Sequence, residues 1–344
     1  MKANRHFCFT HASGEDIYLF KLTNSKGTEV SISNYGAIIT SFSVRQPDGV
    51  INDIVLGFDR MEDYFNDAYL SAYPWFGAAI GRYGNRIGGA CFTIDKTTYQ
   101  LTKNSGPNQL HGGHEGFDKK IWTVINASTS TLELSYKSND GEEGFPGSLV
   151  ISLRYELNDA NELSYEFNAH TDKPTAVNLT HHSYFNLDTV KSSIANHQIR
   201  IAATHLLEQD ENLVTTGRIV DIRDTDFDFR QFKQPGQSWD PATGYDQSFV
   251  TEKDKKNFSL VAEAKSEQSG LAMEIWSTEP VVHFYTGVWI PSLKGKDGVQ
   301  YGPYSGFCLE TQVHPNAINI PHFPNTILRP GETYHHKTLY KVIP

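Results

Sequence analysis

Proton-transfer chemistry needs side chains that titrate near neutrality placed beside a carboxylate. The 344-residue sequence gathers such residues in four short stretches. Residues 81–89, GRYGNRIGG, set Asn85 and Arg86 between glycines, where main chain and side chain can both approach a ligand; a salt-bridged turn would carry the same residues. Residues 109–114, QLHGGH, flank two glycines with His111 and His114, a pattern open to a ligand-facing loop or to plain surface. Residues 178–187, NLTHHSYFNL, contain adjacent histidines. In an extended chain successive side chains point to opposite faces, so only one of His181 and His182 can face a given pocket. Residues 306–312, GFCLETQ, place Glu310 after an apolar run. Burial there raises a carboxylate pKa unless a partner offsets it, while a strand-end glutamate in solvent is the plainer reading. Together the four stretches point to acid–base chemistry and name no substrate.

The elements that must hold these residues read as strands. Leu149, Ile151, Leu153, Tyr155 and Leu157 alternate with polar or small residues, as do Leu163, Tyr165, Phe167 and Ala169. The turn-forming run Asn158-Asp159-Ala160-Asn161 between them predicts a hairpin, and Leu132, Leu134 and Tyr136 predict a third strand. Turn signals at Pro47-Asp48-Gly49, Asn139-Asp140-Gly141, Asp297-Gly298 and Pro330-Gly331 divide the chain too finely for long helices. No repeat and no Pro/Ser/Gly linker interrupts it. The expectation is an all-β protein, residues 1–344 forming one large antiparallel domain with a concave face for a small ligand.

Composition removes several function classes. Thirty Lys and Arg against 40 Asp and Glu give a net charge of −10, which repels a nucleic-acid backbone, and no basic patch is segregated. Cys8, Cys91 and Cys308 are scattered, odd in number and outside any CxxC spacing, so neither a disulfide framework nor a cysteine zinc site is expected, and a reducing cytoplasm fits. Residues 1–16 lack the apolar run of a secretory signal, and no window approaches the ~20 apolar residues of a membrane helix. Among the 14 histidines, the pairs His111/His114, His181/His182 and His335/His336 raise a metal-dependent β-barrel enzyme as a rival, which the usual ligand spacings disfavour.

The stretches GRYGNRI (81–87), LHGG (110–113), NLTHHSYFNL (178–187), GYDQSF (244–249), HFYTG (283–287) and SGFCLETQ (305–312), in this order, closely resemble the galactose mutarotase (aldose 1-epimerase) family. YGAIITSF (35–42) and LRPGETY (328–334) extend the resemblance over essentially the whole chain. It implies a large antiparallel β-sandwich and interconversion of the α and β anomers of a free hexose such as galactose or glucose, without cofactor or metal. Carried over by motif, it assigns the general acid to His182 and the general base to Glu310, with Asn85, Arg86, His111 and Asp246 binding the sugar. The sequence departs from the family pattern at His181, where many members have Asn, and at His283, where many have Gln. Glutamine and neutral histidine each donate one hydrogen bond and accept another, so His283 is expected to hold a sugar hydroxyl with no part in proton transfer. A non-catalytic sugar-binding β-domain and a hexose-phosphate 1-epimerase remain alternatives; the latter should bring extra Lys or Arg to the pocket.

Overall fold

The structure, a computed structural model, describes residues 4–251 and 258–344, so Met1–Ala3 of the polar N-terminal stretch lie outside it. The alternation read from the sequence is realised residue by residue. In Leu149–Leu157 the five apolar positions at odd numbers are buried and the intervening ones are open or half-open. This strand pairs antiparallel with Glu162–Thr171, Tyr155 opposite Tyr165 and Leu157 opposite Leu163. The connection closes through Asn158 N–H to Glu162 O at 3.0 Å, with Asn161 in the left-handed region at φ +58°. Thr131–Ser138 pairs on the other side, Leu132 opposite Tyr155, so all three strands put their apolar residues on one face.

That face belongs to an eight-stranded antiparallel sheet. Its order is Thr123–Ala127, Thr131–Ser138, Leu149–Leu157, Glu162–Thr171, Tyr334–Ile343, Ala272–Ser277, Ser259–Lys265 and Gln198–Ile201. Two five-stranded sheets cover it. One is the N-terminal meander Asn4–Thr10, Asp16–Thr23, Glu29–Ser33, Ile39–Arg45 and Ile51–Asp53. The other runs Thr215–Asp221, Ala203–Gln209, Asp246–Thr251, Val281–Tyr285 and Cys308–Gln312. One continuous buried cluster joins Phe20, Ile32 and Phe42 of the first, Phe249, Phe284 and Leu309 of the second, and Leu153, Phe167 and Tyr340 of the large sheet. The architecture is therefore a large antiparallel β-sandwich, its layers held by alternating inward side chains.

Helix is confined to short pieces. The one α-helix among the described residues, Asp67–Ala72, starts where Asn66 Oδ1 accepts Tyr69 N–H at 2.8 Å and stops at Tyr73, whose φ is +35°. Among the described residues no helix is long and apolar enough to cross a membrane, and the three cysteines are unpaired.

A buried cation fastens the loops that carry the candidate residues to this scaffold. Arg82, only 2% exposed, donates to the carbonyls of Pro146 and Gly147 at 3.0 Å and of Asn139 at 3.1 Å. It also donates to Ser138 Oγ at 2.6 Å and Thr175 Oγ1 at 3.1 Å. Burial lowers its pKa to about 10, still far above neutrality, so the guanidinium stays charged and the segment around Gly81 is tied to the ends of the large sheet. Replacing it with an apolar residue strands several buried acceptors, each costing roughly 1–3 kcal/mol. Arg82→Met is therefore expected to lose about 3 kcal/mol or more of stability by urea unfolding. An unchanged midpoint would mean that those carbonyls find other donors.

Candidate active site

The floor of the site is built by register. On the second five-stranded sheet Ser248 lies opposite His283, Asp246 opposite Tyr285, and His283 opposite Glu310. Because side chains alternate along a strand, Asp246, Ser248, His283, Tyr285, Cys308 and Glu310 all emerge on one face, while Phe249, Val282, Phe284 and Leu309 enter the core on the other.

The walls come from two short pairings. Thr180–His181 pairs with Ala79–Ile80, and His182 N–H then donates to Ala78 O at 2.8 Å while its own carbonyl accepts Gly77 N–H at 3.0 Å. This clamps the backbone so that the two histidines diverge. His182 turns to the floor. His181 turns into the core, bonded through Nε2 to Tyr155 Oη at 3.0 Å and through Nδ1 to Ser183 Oγ at 3.1 Å, and burial drives its pKa down to about 3. The second pairing sets Arg86–Ile87 against Gln109–Leu110, and Asn85 N–H donates to His111 Nδ1 at 3.2 Å. This places the His111 proton on Nε2. Burial and the neighbouring His182 and Arg86 charges hold His111 neutral, well below its ordinary pKa. The glycines after His111 are required by contact: Gly112 has φ +85°, and a Cβ there would lie 2.0 Å from the Gly81 carbonyl oxygen.

All seven residues singled out from the sequence, Asn85, Arg86, His111, His182, Asp246, His283 and Glu310, line one cavity of about 240 Å³. A wider depression of about 430 Å³ near Val177, Pro280 and Tyr334 touches none of them. Glu310 is 1% exposed; its Oε1 lies 3.7 Å from His182 Nε2, and its Oε2 is buried without a partner among the described residues. Burial lowers the His182 pKa, and the Glu310 charge offsets this only in part. Asp246 accepts from His283 Nε2 at 2.8 Å, and His283 Nδ1 lies 2.9 Å from Ser248 Oγ. Burial alone would raise Asp246 and lower His283, but their mutual bond and charge reverse both shifts, leaving a buried ion pair. Both nitrogens of His283 are thus engaged inside the protein. Arg86 has no carboxylate within ion-pair distance among the described residues, so the salt-bridged turn that its segment could have formed is not what is built. Its guanidinium enters the cavity, with burial lowering its pKa against the pull of Asp246 and Asp210.

Aromatic residues complete the lining, among them Trp75, which was not singled out from the sequence. Trp75 stacks on His182 at 6.0 Å and meets His111 edge-on at 4.8 Å; Tyr184, Tyr285 and the 68%-exposed Trp289 complete the apolar wall and rim. The Cys308 thiol lies 3.5 Å from His182 Nδ1. The Pro-Trp-Phe-Gly run just before the Gly81 segment was the available signal for Trp75. The histidine pairs do not assemble as ligands. His114 is exposed at Lys103 O, His335 is exposed at Glu166, and His336 is buried against Thr311 and Thr338. Among the described residues no three His, Cys, Asp or Glu side chains form a metal-sized group.

A buried carboxylate with one free oxygen, an imidazole beside it, and a ring of donors and acceptors over an aromatic wall suit proton exchange on a small polyhydroxylated ligand. Comparison with known proteins agrees with that chemistry. The sequence model of the family described as Aldose 1-epimerase matches residues 18–341. The galactose mutarotase of Bos taurus is 43% identical over 316 residues, covering 91% of this chain and 90% of that protein. The aldose 1-epimerase of Escherichia coli (strain K12) is 33% identical, covering 96% of each. Among solved structures, the GalM/aldose epimerase homologue from C. elegans superposes with a TM-score of 0.87 at 32% identity, covering 94% of this chain and 98% of that one. With a family match across nearly its whole length, relatives at 33% and 43% identity and the same β-sandwich, the chain belongs to the aldose 1-epimerase family.

Proposed function

We propose that this protein is an aldose 1-epimerase, an isomerase that opens and recloses the pyranose ring of a free hexose such as galactose or glucose, with Glu310 as base and His182 as acid. The observation that carries this reading is the buried Glu310–His182 pair, 3.7 Å apart, facing a cavity ringed by hydrogen-bonding groups. Ring opening needs one proton off the anomeric hydroxyl and one onto the ring oxygen. Glu310 Oε2, which has no partner among the described residues, accepts the first, and the protonated His182 imidazole supplies the second from Nε2. The C1–O5 bond breaks as the C1 carbonyl forms. Glu310 is then protonated and His182 neutral. After rotation about C1–C2 the same two groups run backwards: His182 takes the C5 hydroxyl proton, O5 attacks the other face of C1, and Glu310 returns its proton to the carbonyl oxygen. Protons and electrons balance within the pair, and no cofactor enters the cycle.

Asn85, Arg86, His111 and Asp246 hold and orient the sugar hydroxyls in this reading, which matters because both proton transfers depend on placing one ring against two fixed groups. His283 contributes by holding Asp246. Among the described residues Arg86 is the one Lys or Arg lining the cavity, beside the two carboxylates Asp246 and Glu310, a balance that favours a neutral sugar over a hexose phosphate. We also read residues 1–344 as one working domain and the cytoplasm as its compartment, supported by the buried cluster running from Phe20 to Val342 and by the three unpaired cysteines.

Polarimetry on freshly dissolved α-galactose tests the activity directly: the approach to anomeric equilibrium should accelerate in proportion to protein, whereas a sugar-binding module would leave the spontaneous rate unchanged. Glu310→Gln and His182→Asn should each fold and lose roughly 100- to 10,000-fold in kcat. His181→Asn, which alters a core hydrogen bond on the far side of the strand, should retain substantial activity. Near-normal turnover in either of the first two variants, or a collapse in the third, would reassign the roles.

The pH profile of kcat/KM should be bell-shaped. Activity needs the single-proton state of the pair, so it rises as the pair gives up its second proton and falls as it loses its last. Since burial holds His182 below its ordinary value, the alkaline limb belongs at or below about pH 6.5 in kcat/KM. A limb above about pH 8 would take His182 out of the acid's role.

A further inference from the structure

His283 is 3% exposed on the central strand of the site, flanked by Ser248 and Asp246 on one neighbouring strand and by Glu310 on the other. Its ring is spent on both sides: Nδ1 at 2.9 Å from Ser248 Oγ and Nε2 at 2.8 Å from Asp246 Oδ1. It therefore has no nitrogen left for a sugar. The order Ser248–His283–Asp246 has the members of a hydrolytic triad, but the serine is wholly buried behind the histidine and the carboxylate is the group at the cavity. Here the serine is the hinge and the aspartate the working end. We propose that His283 is the positioning residue of the sugar site: as an imidazolium hinged on Ser248 it fixes Asp246 by one oxygen, leaves the other for sugar hydroxyls, and makes sugar affinity follow its own protonation. This rests on the reading of Asp246 as a sugar-holding residue.

The charges around the ring decide what its proton does. Asp246 and Glu310 face it from the two adjoining strands, and Arg86, His111 and His182 face it from the walls. Burial disfavours the imidazolium, but the bond to Asp246 and the two carboxylate charges outweigh both burial and Arg86, so His283 stays protonated above the ordinary histidine range. When pH rises past that point the ring can still donate Nε2–H to the carboxylate, but the attraction between opposite charges is lost and the bond weakens. Asp246 and Glu310 then repel each other across a neutral ring. Asp246 is released from its single orientation, and the sugar site loosens while the Glu310–His182 pair is left in place. A neutral amide at the same position could bridge Ser248 and Asp246 but could not supply the charge.

Kinetics across pH separate these roles. Polarimetric kcat and KM for galactose are measured from about pH 5.5 to 9 in the wild type, His283→Gln, Ser248→Ala and Asp246→Asn. The wild-type KM should climb about fivefold to tenfold above neutrality. In His283→Gln, KM should sit at that higher level at every pH, with kcat changed by less than about tenfold. Ser248→Ala should raise KM in the same direction by a smaller factor. A histidine proton resonance in the wild type, lost in His283→Gln and moved to lower pKa in Asp246→Asn, should titrate above the ordinary histidine range. If the wild-type KM is flat over this range while Asp246→Asn still raises it, the positioning role of His283 fails and the reading of Asp246 stands. If Asp246→Asn leaves KM unchanged, that reading fails. A kcat loss in His283→Gln as deep as that of Glu310→Gln would make His283 a proton-transfer group and overturn the proposal. Should His283→Gln not fold, the wild-type KM profile and the resonance decide the matter alone.

Discussion

Two carboxylates, Glu310 buried and Asp246 half-buried, stand within one strand of each other, and the site is arranged around that cost. Glu310 is 1% exposed, and Asp246 lies across the intervening strand that carries His283. Moving either charge out of water is expensive unless partners compensate it. The compensation is unequal. Asp246 has a hydrogen-bonded ion pair at 2.8 Å, whereas Glu310 has an imidazole at 3.7 Å and one oxygen with no partner among the described residues. A carboxylate fully satisfied by the protein is a poor base. The asymmetry therefore sets apart, within one small cavity, the two carboxylates proposed as anchor and base.

The same logic reaches His182. Trp75 and Tyr184 pack on its ring, and Cys308 lies against its inner nitrogen, so it is desolvated on nearly every side. Desolvation pulls its pKa down and Glu310 pulls it up. Burial is the larger effect and the carboxylate offsets part of it, an opposition that fits the proposed role of a group that gives a proton in one half-reaction and takes it back in the next. His181, one residue away, meets only the first effect and stays neutral in the core.

None of this geometry is local. The floor is one strand face of a five-stranded sheet whose other face is anchored in the sandwich core, so Leu309 and Phe284 on the buried side set where Glu310 and His283 stand on the open side. The walls are loops, and they are held by backbone contacts with no room for side chains, as at Gly112 against Gly81, and by the buried Arg82 guanidinium bonded to loop and strand-end carbonyls. Rigid placement of the cavity-lining groups is thus a consequence of the large sheet even though none of its described residues lines the cavity.

What could be read from the chain by itself is what depends on near neighbours. The alternation from Leu149 to Leu157, the Asn158–Asn161 turn and the divergence of His181 from His182 all follow from a two-residue period and from local turn chemistry, and the structure reproduces each. Motif order was enough to place the chain in its family and to nominate seven residues that the fold brings to one cavity. Other questions had two local answers. Arg86 in a salt-bridged turn or in a pocket, and Glu310 solvated or buried, differ only in which distant strand lies alongside. Trp75 had only the Pro-Trp-Phe-Gly run to mark it, and its place in the site comes from stacking on a histidine more than a hundred residues away. His283 could be recognised as a hydrogen-bonding group, but whether its nitrogens were free or spent on Ser248 and Asp246 was decided by antiparallel register between strands. Burial, charge compensation and register are sums over contacts distant in sequence, and only the tertiary structure performs that sum.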